Sequence, residues 1–378
     1  MLPLPYTWME ISKSAFEHNL SMYKRLLGTA ALGAVIKSNA YGHGLLEMGQ
    51  LCQKSSSVDW ICVATVREAI ALRKKDVKKP ILVVYFIEDD PRAALEHAIE
   101  LMVCDIETVV MLNQIGIAQK KKFNIHLKVD SGMSRFGFLP HQVLETIYAI
   151  KKLDGLNLTG IYSHLAQAAN EDQAFNQQQQ SVFDKVLDLI EQEKIHISYK
   201  HLTNSAGTTV MSLEKYNLAR VGLGIYGWWP SQFVKDETQK KNPWFELKPV
   251  LTLKSRIHQI RILGPDSFVG YDRTYKTTRP TKIAVLPIGY YDGYDRRLSS
   301  KGITLVNSHY APVIGIIAMT TLIIDVTDIP NVKPHDEVIL MGNYEQITPT
   351  QLANVIGSFN AREIITRLNP DLPRIIVE

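Results

Sequence analysis

The sequence predicts an α/β protein in which an N-terminal (β/α)8 barrel of the TIM type precedes a mostly β C-terminal domain. Its 378 residues exceed what one ordinary core holds, so two domains are expected. Short β-branched runs alternate about eight times with longer amphipathic runs, which favours parallel strands closed into a barrel. The alternation stops near residue 240, and we therefore place the domains at residues 1–240 and 241–378.

The predicted barrel strands share short apolar runs rich in β-branched residues. They are Gly33–Lys37, Ile61–Thr65, Ile81–Val84, Leu101–Cys104, His126–Asp130, Leu158–His164, Lys200–Thr203 and Leu218–Gly222. Helical patterns lie between them, at Val66–Lys75, Pro91–Ile99, Pro140–Leu153 and Asn176–Glu193. The helix at Pro91 has the clearest start, because Asp90 precedes a proline that suits the first turn.

The C-terminal third is typical of a β domain, since its apolar runs are short and are separated by Gly, Pro, Asn and Asp. Its predicted strands are Val250–Arg261, Lys282–Pro287, Ile303–Val306, Val313–Met319, Leu322–Val326 and Glu337–Met341. Helical periodicity is confined to Thr348–Ile356. The polar stretch Val234–Asn242 is predicted to be the linker between the two domains.

Composition excludes several classes of protein. Hydrophobic residues make up 46% and charged residues 21%, as in a soluble globular protein. The net charge is only +4 and the lysine runs are scattered, which does not indicate a nucleic-acid-binding surface. Three unevenly spaced cysteines predict neither disulfides nor a metal site. No apolar run suits a signal peptide or a membrane span, so we expect a cytoplasmic protein.

Polar and ionisable side chains gather at the ends of the predicted barrel strands. In such barrels the catalytic groups come from the C-terminal strand ends and the loops that follow them. These residues are Lys37 at the first strand, Lys128, Asp130 and Arg135 at the fifth, Ser163 and His164 at the sixth, Asn204 and Ser205 at the seventh, and Arg220 and Gly222 at the eighth. Their convergence on one mouth indicates a binding site.

Two of these strand ends together suggest pyridoxal phosphate. Lys37 follows the apolar run Ala34–Ile36, and a partly desolvated lysine can act as an amine nucleophile. Taken alone, a strand-end lysine is more often a solvated cap. The small residues Ser205–Gly207 follow the seventh strand, and the Gly-Leu-Gly segment Gly222–Gly224 follows the eighth. Barrels of this kind usually bind phosphate at these two loops.

The segment Ala34–Gly44 closely resembles the cofactor-lysine motif of alanine racemases. The similarity extends over nearly the whole chain, and the lysine and Pro-Ile-Gly-Tyr motifs are specific. It includes His126–Gly137, Gly160–Leu165, His201–Ala206, Ala219–Gly227, Gly270–Tyr275, Pro287–Gly293 and Pro373–Arg374.

The resemblance implies a barrel plus a β domain, a pyridoxal 5'-phosphate cofactor and a head-to-tail homodimer with shared active sites. Lys37 and Tyr271 would be the catalytic acid/base pair, and Lys37 would also carry the cofactor. The other implied cofactor-binding residues are Tyr41, Ser205, Gly222 and Leu223 at the phosphate, and Arg220 at the pyridine nitrogen with His164 beside it. The implied substrate-binding residues are Arg135, Tyr290 and the backbone of Met319.

The chemistry of racemisation suits these residue types. One proton must leave Cα and another must arrive on the opposite face, so two groups must flank the cofactor plane. A guanidinium does not release its proton, so Arg220 would leave the pyridine nitrogen unprotonated. That weakens the electron sink and should suppress transamination.

The sequence departs from the family pattern at several positions, which leaves the exact amino-acid specificity open. Ile316 stands where an arginine is common, and Ala318 and Thr320 flank Met319 where the family commonly has Cys and Asp. Arg362 lies where a tyrosine normally contacts the phosphate, and it either pairs with that phosphate or faces solvent. Lys128 is either carbamylated, as in some family members, or an ordinary lysine.

The function predicted from the sequence is alanine racemisation, supplying D-alanine for cell-wall peptidoglycan. One alternative is racemisation of another or a broader set of amino acids, such as serine. A second is a related pyridoxal-phosphate-dependent decarboxylase, although those enzymes place an acidic residue, unlike Arg220, against the pyridine nitrogen. A third is a non-catalytic cofactor-binding protein, which would not need Tyr271.

Overall fold

A computed structural model describes residues 5–358 and 360–378, which form two compact units. The barrel unit contains Ser14–Ala40 and Leu45–Lys248. The β unit contains the described residues 5–13, the short segment Tyr41–Gly44, and the described residues of Pro249–Glu378. The first strand, β1 (Thr7–Ser12), is therefore part of the β unit. The predicted domain boundary between residues 240 and 241 stays a prediction.

The barrel unit is built on eight parallel strands in the order β8-β7-β6-β5-β4-β3-β2-β9. The last gap, between β8 and β9, is bridged by two backbone hydrogen bonds of 3.1 Å, from Arg220 to Thr203 and from Asn217 to Lys200. The predicted barrel is confirmed, and each predicted strand overlaps one observed. The strands are β2 (Ala31–Val35), β3 (Trp60–Val63), β4 (Ile81–Val83), β5 (Ile99–Val103), β6 (Phe123–Lys128), β7 (Leu156–Tyr162), β8 (Tyr199–His201) and β9 (Leu218–Val221).

Helices follow most of these strands. They are α1 (Lys13–Leu27), α2 (Lys37–Tyr41), α3 (Leu45–Lys54), α4 (Val66–Arg73), α5 (Pro91–Glu96), α6 (Ile106–Ala118), α7 (Val143–Lys151), α8 (Ala174–Gln192), α9 (Ser205–Val210) and α10 (Gln232–Lys241). Asp90 caps α5 by accepting a hydrogen bond from the Arg92 backbone, as the sequence predicted. No helix in the described residues has the length and apolarity needed to cross a bilayer.

Three sequence predictions in this region need correction. The helix predicted at Pro91–Ile99 ends at Glu96, because Ala98 has a φ of 49° and Ile99 begins β5. The helix predicted at Pro140–Leu153 begins with a 3-10 turn, Pro140–Gln142. The linker predicted at Val234–Asn242 is wrong. The Ser231 side chain caps α10 there by accepting from the Val234 backbone, and Val234 itself is buried.

The segment α2, directly after Lys37, is left-handed. Ser38, Asn39 and Ala40 have φ between 51° and 55°, a conformation that costs non-glycine residues about 1–2 kcal/mol each. The Glu68 carboxylate holds this turn, since one oxygen accepts hydrogen bonds from the backbone N–H of Ser38 (2.6 Å) and Asn39 (3.3 Å). Strain of this kind persists only where surrounding contacts impose it.

The described residues of the β unit form three sheets. Its strands are β1 with β10 (Leu251–Arg256), β11 (Gln259–Leu263), β12 (Phe268–Val269), β13 (Tyr275–Lys276), β14 (Thr281–Leu286), β15 (Ile303–Val306), β16 (His309–Pro312), β17 (Leu322–Asp325), β18 (Glu337–Met341) and β19 (Arg374–Val377). The largest sheet has the order β16-β15-β18-β10-β1-β19, and the others are β11-β14-β17 and β12-β13. Two short helices follow, α11 (Pro349–Val355) and α12 (Ala361–Thr366).

Two strand predictions in the β unit are wrong in detail. Val250–Arg261 is not one strand, because the chain passes from one sheet to another at Ile257 and His258. The Ile257 backbone N–H donates to Asp336, while that of His258 donates to Val285. Val313–Met319 is not a strand. Gly315 has a φ of 72°, and only Val313 forms an isolated bridge, to Ile324.

Helix α6 packs against the chain before β7 through two glycines. A Cβ built on Gly116 would lie 2.5 Å from the Gly155 carbonyl oxygen, and the Gly155 N–H donates to the Asn113 side chain at 2.9 Å. Alanine has the higher helix propensity by about 1 kcal/mol, but overpacking costs about 1–3 kcal/mol. The contact therefore requires glycine at position 116.

We expect Gly116→Ala to lower the free energy of unfolding by about 1–2 kcal/mol, because backbone atoms on the neighbouring segment cannot move aside cheaply. Thermal and urea denaturation measure the change. Gln114→Ala, on the exposed part of the same helix, is the control and should stay within about 0.5 kcal/mol of wild type. A Gly116→Ala variant more stable than wild type would contradict this packing.

Candidate active site

The mouth of the barrel collects cationic side chains around one histidine. The pKa of His164 lies well below its usual value because burial and the charges of four neighbours all disfavour the imidazolium. Those neighbours are Arg220, Lys128, Arg135 and Lys37. Lys37 is half-buried, and its Nζ lies 5.9 Å from the centre of the Tyr85 ring. Five sequence-predicted strand-end residues are therefore neighbours in the structure.

Arg220 is the most deeply buried of these cations, at 5% exposed. Its Nη1 donates to His201 Nδ1 at 2.6 Å, and its Nη2 donates to the Ser163 carbonyl at 2.7 Å. Nη2 also lies 3.2 Å from both the Leu202 carbonyl and His164 Nδ1. Among the described residues these contacts use three of the five guanidinium N–H groups, which leaves Nε–H and one Nη1–H for another acceptor.

Tyr162 separates Arg220 from a second buried cation. Lys128 Nζ lies 4.6 Å from the Tyr162 ring centre and the Arg220 guanidinium carbon lies 4.8 Å from it. The pKa of Lys128 lies well below its usual value because of burial and the charges of Arg220 and Arg135, which outweigh the opposite influence of Asp130. Lys128 therefore provides a nucleophilic amine when neutral, and carbamylation stays a prediction.

The loops after β8 and β9 meet at Ser205. Its hydroxyl oxygen accepts hydrogen bonds from the backbone N–H of Gly222 (3.0 Å) and Gly224 (3.2 Å). Leu223 is buried between these glycines, and a Cβ on Gly224 would lie 2.0 Å from the Tyr23 hydroxyl. The first-turn N–H groups of α9, including those of Ser205 and Ala206, have no acceptor within the helix. This grouping of N–H and hydroxyl donors suits an anion.

Tyr41 closes the left-handed turn, has a φ of 54° and is half-buried. Gly42, the residue after Tyr41, contacts two other segments of the β unit. The Gly42 carbonyl accepts from Nε and Nη2 of Arg374, at 3.1 and 2.9 Å, and a Cβ on Gly42 would lie 2.0 Å from the Ile365 oxygen. Gly42 and Arg374 are thus hydrogen-bonded to each other, although they belong to two separate motifs that resemble alanine racemases.

The predicted substrate residues of the β unit lie on adjoining loops. The backbone N–H of Tyr290 donates to Ala318 at 3.1 Å, and that of the next residue donates to the Met319 carbonyl at 2.9 Å. Tyr271 follows Gly270, whose Cβ would lie 3.4 Å from the backbone nitrogen of Ile316. The segment 315–319 therefore joins all three loops. Tyr271, Met319 and Tyr290 are 66%, 55% and 43% exposed, as expected for side chains that bind another molecule.

The residues that depart from the family pattern lie in the same unit. Thr320 is exposed next to Met319, and Ile316 is half-buried. Arg362 is exposed and its Nε donates to the Asn360 side chain at 2.9 Å. An intrachain partner for Arg362 was not foreseen from the sequence, and its role toward phosphate stays a prediction.

His201 and Tyr162 were not predicted as site residues, yet both contact the Arg220 guanidinium, His201 through a hydrogen bond and Tyr162 through its ring face. The Tyr162 ring stacks on His201 with centres 4.7 Å apart and planes 4° apart. His126 contacts His201 at 2.8 Å and was also missed. The available signal was the period-two alternation of β6, which places His126 on the same side as Lys128 and therefore inside the barrel.

Comparisons with known proteins agree with this geometry. Residues 11–230 match the model of the alanine racemase N-terminal domain, and residues 250–376 match that of the C-terminal domain. An alanine racemase of Clostridium perfringens is 35% identical over 374 residues, covering 97% of this chain and 94% of the relative.

Solved structures show the same fold. The alanine racemase of Clostridium difficile 630 superposes with a TM-score of 0.91 at 30% identity, covering 99% of this chain and 96% of that one. A Bartonella henselae alanine racemase with covalently bound pyridoxal phosphate has a TM-score of 0.83 at 24% identity, covering 99% and 100%. Because both domain models match and the similarity spans the chain, the protein belongs to the alanine racemase family of isomerases.

Proposed function

We propose that this protein interconverts L- and D-alanine with pyridoxal 5'-phosphate as its cofactor, and that Lys37 and Tyr271 are the two acid/base groups. The observation that carries the proposal is the composition of the barrel mouth. A half-buried lysine amine, a buried guanidinium with donors to spare, and an anion-binding loop pair all lie at strand ends of one barrel. Membership of the alanine racemase family supports the choice of reaction.

The residues present suit each part of this cofactor. Its aldehyde requires a primary amine, which Lys37 provides. Its pyridine nitrogen is an acceptor, which suits the unused N–H groups of Arg220. Its phosphate requires several donors, which the Ser205 hydroxyl and the Leu223 backbone N–H provide, with Tyr41 as a further proposed contact. The Gly222 N–H donates to the Ser205 hydroxyl oxygen and would turn to the phosphate when the cofactor binds. When bound, pyridoxal phosphate acidifies the Cα–H bond of the amino acid attached to it.

The chain's own residues then perform the proton transfers. Lys37 exchanges a proton with Cα on one face, and the Tyr271 hydroxyl exchanges one on the other. Arg135 attracts the substrate carboxylate, and Tyr290 with the Met319 backbone restricts how the amino acid lies. Burial and, after it, four nearby cations hold the pKa of His164 well below its usual value, so it serves as a hydrogen-bonding neighbour and does not deliver a proton as an imidazolium.

Arg220 favours racemisation over decarboxylation or transamination. A guanidinium donates a hydrogen bond without transferring its proton, so it stabilises negative charge on the cofactor ring less than a protonated pyridine would. With the cofactor bound, Arg220 would therefore favour prompt return of a proton to Cα over slower reactions. Specificity for alanine over serine depends on the loops that carry Ile316 and Thr320.

We further propose a head-to-tail homodimer in the cytoplasm that supplies D-alanine for peptidoglycan. In this arrangement Tyr271 of one subunit completes the site around Lys37 of the other, and two-fold symmetry gives two equivalent sites. The exposure of Tyr271 in the chain supports a contact with another molecule.

Replacement of the lysine tests the assignment of the cofactor. We expect wild type to convert L-alanine to D-alanine, measured by chiral chromatography, and Lys37→Ala to lose both this activity and the visible absorbance of lysine-bound cofactor. Lys54→Ala, an exposed lysine at the end of α3, is the control and should retain both. Release of CO2 by wild type would identify a decarboxylase, and a borohydride-reducible adduct in Lys37→Ala would contradict the role of Lys37.

The role of Arg220 is tested by the products of side reactions. A carboxylate in its place should favour protonation of the pyridine nitrogen. We therefore expect Arg220→Glu to racemise more slowly and to form more pyruvate per turnover, measured with a lactate dehydrogenase assay. Arg220→Lys keeps the charge and should not raise the pyruvate ratio. An unchanged ratio in Arg220→Glu would place the arginine elsewhere than at the ring nitrogen.

Mixed dimers test the shared site. When Lys37→Ala and Tyr271→Phe subunits exchange, a mixed dimer has one site with both defects and one with neither. Random mixing should therefore restore about a quarter of wild-type specific activity. Mass spectrometry of intact dimers confirms the exchange. Verified exchange without recovered activity would mean that both residues of a site come from the same chain.

A further inference from the structure

A hydrogen-bond chain of polar side chains starts at Arg220 inside the barrel; its members are buried except for Glu100, whose side chain is 14% exposed. Arg220 Nη1 lies 2.6 Å from His201 Nδ1, His201 Nε2 lies 2.8 Å from His126 Nδ1, and His126 Nε2 lies 3.0 Å from Glu100 Oε2. The four residues belong to β9, β8, β6 and β5 in turn. Because β6 and β8 are separated by β7 in the sheet, their contact passes across the barrel interior.

The two ends of this chain determine where every proton lies. A guanidinium can only donate, so His201 Nδ1 accepts, and the proton of neutral His201 is on Nε2. His201 therefore donates to His126 Nδ1, which places the His126 proton on Nε2 and directs it at Glu100. A carboxylate can only accept a hydrogen bond, so the Glu100 end requires the same direction as the Arg220 end. The hydrogen bonds run in one direction, from Arg220 to Glu100.

Glu100 is held as a carboxylate at the end of the chain. Burial raises its pKa, but hydrogen bonds from His126, Thr159 and Asn124 outweigh burial and leave the pKa below its usual value. Thr159 Oγ1 donates to it at 2.7 Å and Asn124 Nδ2 at 3.2 Å. The pKa of His201 lies well below its usual value because of burial and the Arg220 charge, which agrees with a neutral ring.

The packing is built around these two rings. A Cβ on Gly160 would lie 2.2 Å from His126 Nδ1, so glycine is required beside that ring. The β6–β7 pairing shifts register between Ile125 and His126, which places Gly160 opposite His126. Trp60 meets the His126 ring edge-on at 5.6 Å, while Tyr162 stacks on His201. The rings therefore have little freedom to flip.

We propose that Glu100, His126 and His201 are positioning residues of the enzyme, which fix the orientation of the Arg220 guanidinium and keep it a hydrogen-bond donor toward the mouth. Through the two imidazoles, the buried cation is linked to a carboxylate that lies away from the reacting atoms. Arg220 then presents its remaining N–H groups in one direction. The inference rests on the proposed role of Arg220 at the cofactor ring, and the hydrogen-bond chain itself can be measured without the cofactor.

The first measurement is the proton arrangement in cofactor-free protein labelled with 15N-histidine. From the hydrogen-bond geometry we expect each of the two rings, His126 and His201, to carry its proton on Nε2 and none on Nδ1. Spectra of His126→Gln and His201→Gln assign the signals. A proton on Nδ1 of either ring, or an imidazolium, would overturn the inferred direction of the chain.

The second measurement asks whether Glu100 influences the mouth. We expect Glu100→Gln to move the Nε2–H signals of both rings, to shift the visible absorbance of the lysine-bound cofactor, and to lower kcat about tenfold with little change in KM. Thr159→Val removes one hydrogen bond to Glu100 and should act in the same direction more weakly; it replaces Glu100→Gln if that variant does not fold. Glu145→Gln, on the barrel exterior in α7, is the control.

The outcomes separate this inference from the proposed function. If wild type does not racemise alanine, the proposed function fails, but the histidine spectra still show whether the hydrogen bonds from Arg220 to Glu100 run in the inferred direction. If wild type is active and both Glu100→Gln and Thr159→Val reduce only thermal stability, with cofactor absorbance and kcat unchanged, the residues are structural and the inference is overturned.

Discussion

Burial of the Arg220 guanidinium is the constraint on which the rest of the barrel mouth depends. Removing a charged group from water costs several kcal/mol unless acceptors replace the lost hydration. Here the acceptors are the carbonyl oxygens of Ser163 and Leu202 and the Nδ1 atom of His201. They come from the ends of β7 and β8, so the guanidinium can be satisfied only when the strands close in the observed order.

The same constraint determines the electrostatics of the mouth. Arg220, Lys128, Arg135 and Lys37 all lie close enough to His164 to disfavour a positive charge on its ring. Such a cluster is costly in isolation, and an anionic ligand relieves it. The proposed phosphate-bearing cofactor and carboxylate substrate would supply that charge. The positive mouth is therefore a physical reason to expect both groups, independent of the similarity to other racemases.

Much of the barrel could be predicted because its signals are local. Each buried strand is a short apolar run, and the residue predicted to react follows the first of them directly, as Lys37 follows Ala34–Ile36. The errors arose where long-range contacts decide the structure. β1 joins β10 and β19, which lie more than two hundred residues away, and no local pattern predicts that pairing. The left-handed turn after Lys37 could not be predicted from the local sequence either, because it depends on a hydrogen bond to Glu68, thirty residues away.

The structure brings several predicted site residues together, but the sequence did not predict how they contact one another. The strand-end rule identified Arg220 and His164 but not the link from Arg220 to His201, which only the fold brings into contact. Similarly, the sequence indicated Tyr271, Tyr290 and Met319 separately, whereas the segment 315–319 that joins their loops emerged from backbone hydrogen bonds and close glycine contacts.

The most direct test of the central claim is the protonation state of the cofactor's ring nitrogen in the loaded enzyme. Reconstitution with pyridoxal phosphate labelled with 15N in the ring allows its NMR signal to be compared with free protonated and unprotonated standards. If Arg220 donates to this atom, the signal should be that of an unprotonated, hydrogen-bonded pyridine nitrogen and should not change between pH 6 and 9. The signal of a protonated pyridinium would contradict the claim that a donor-only guanidinium governs this site.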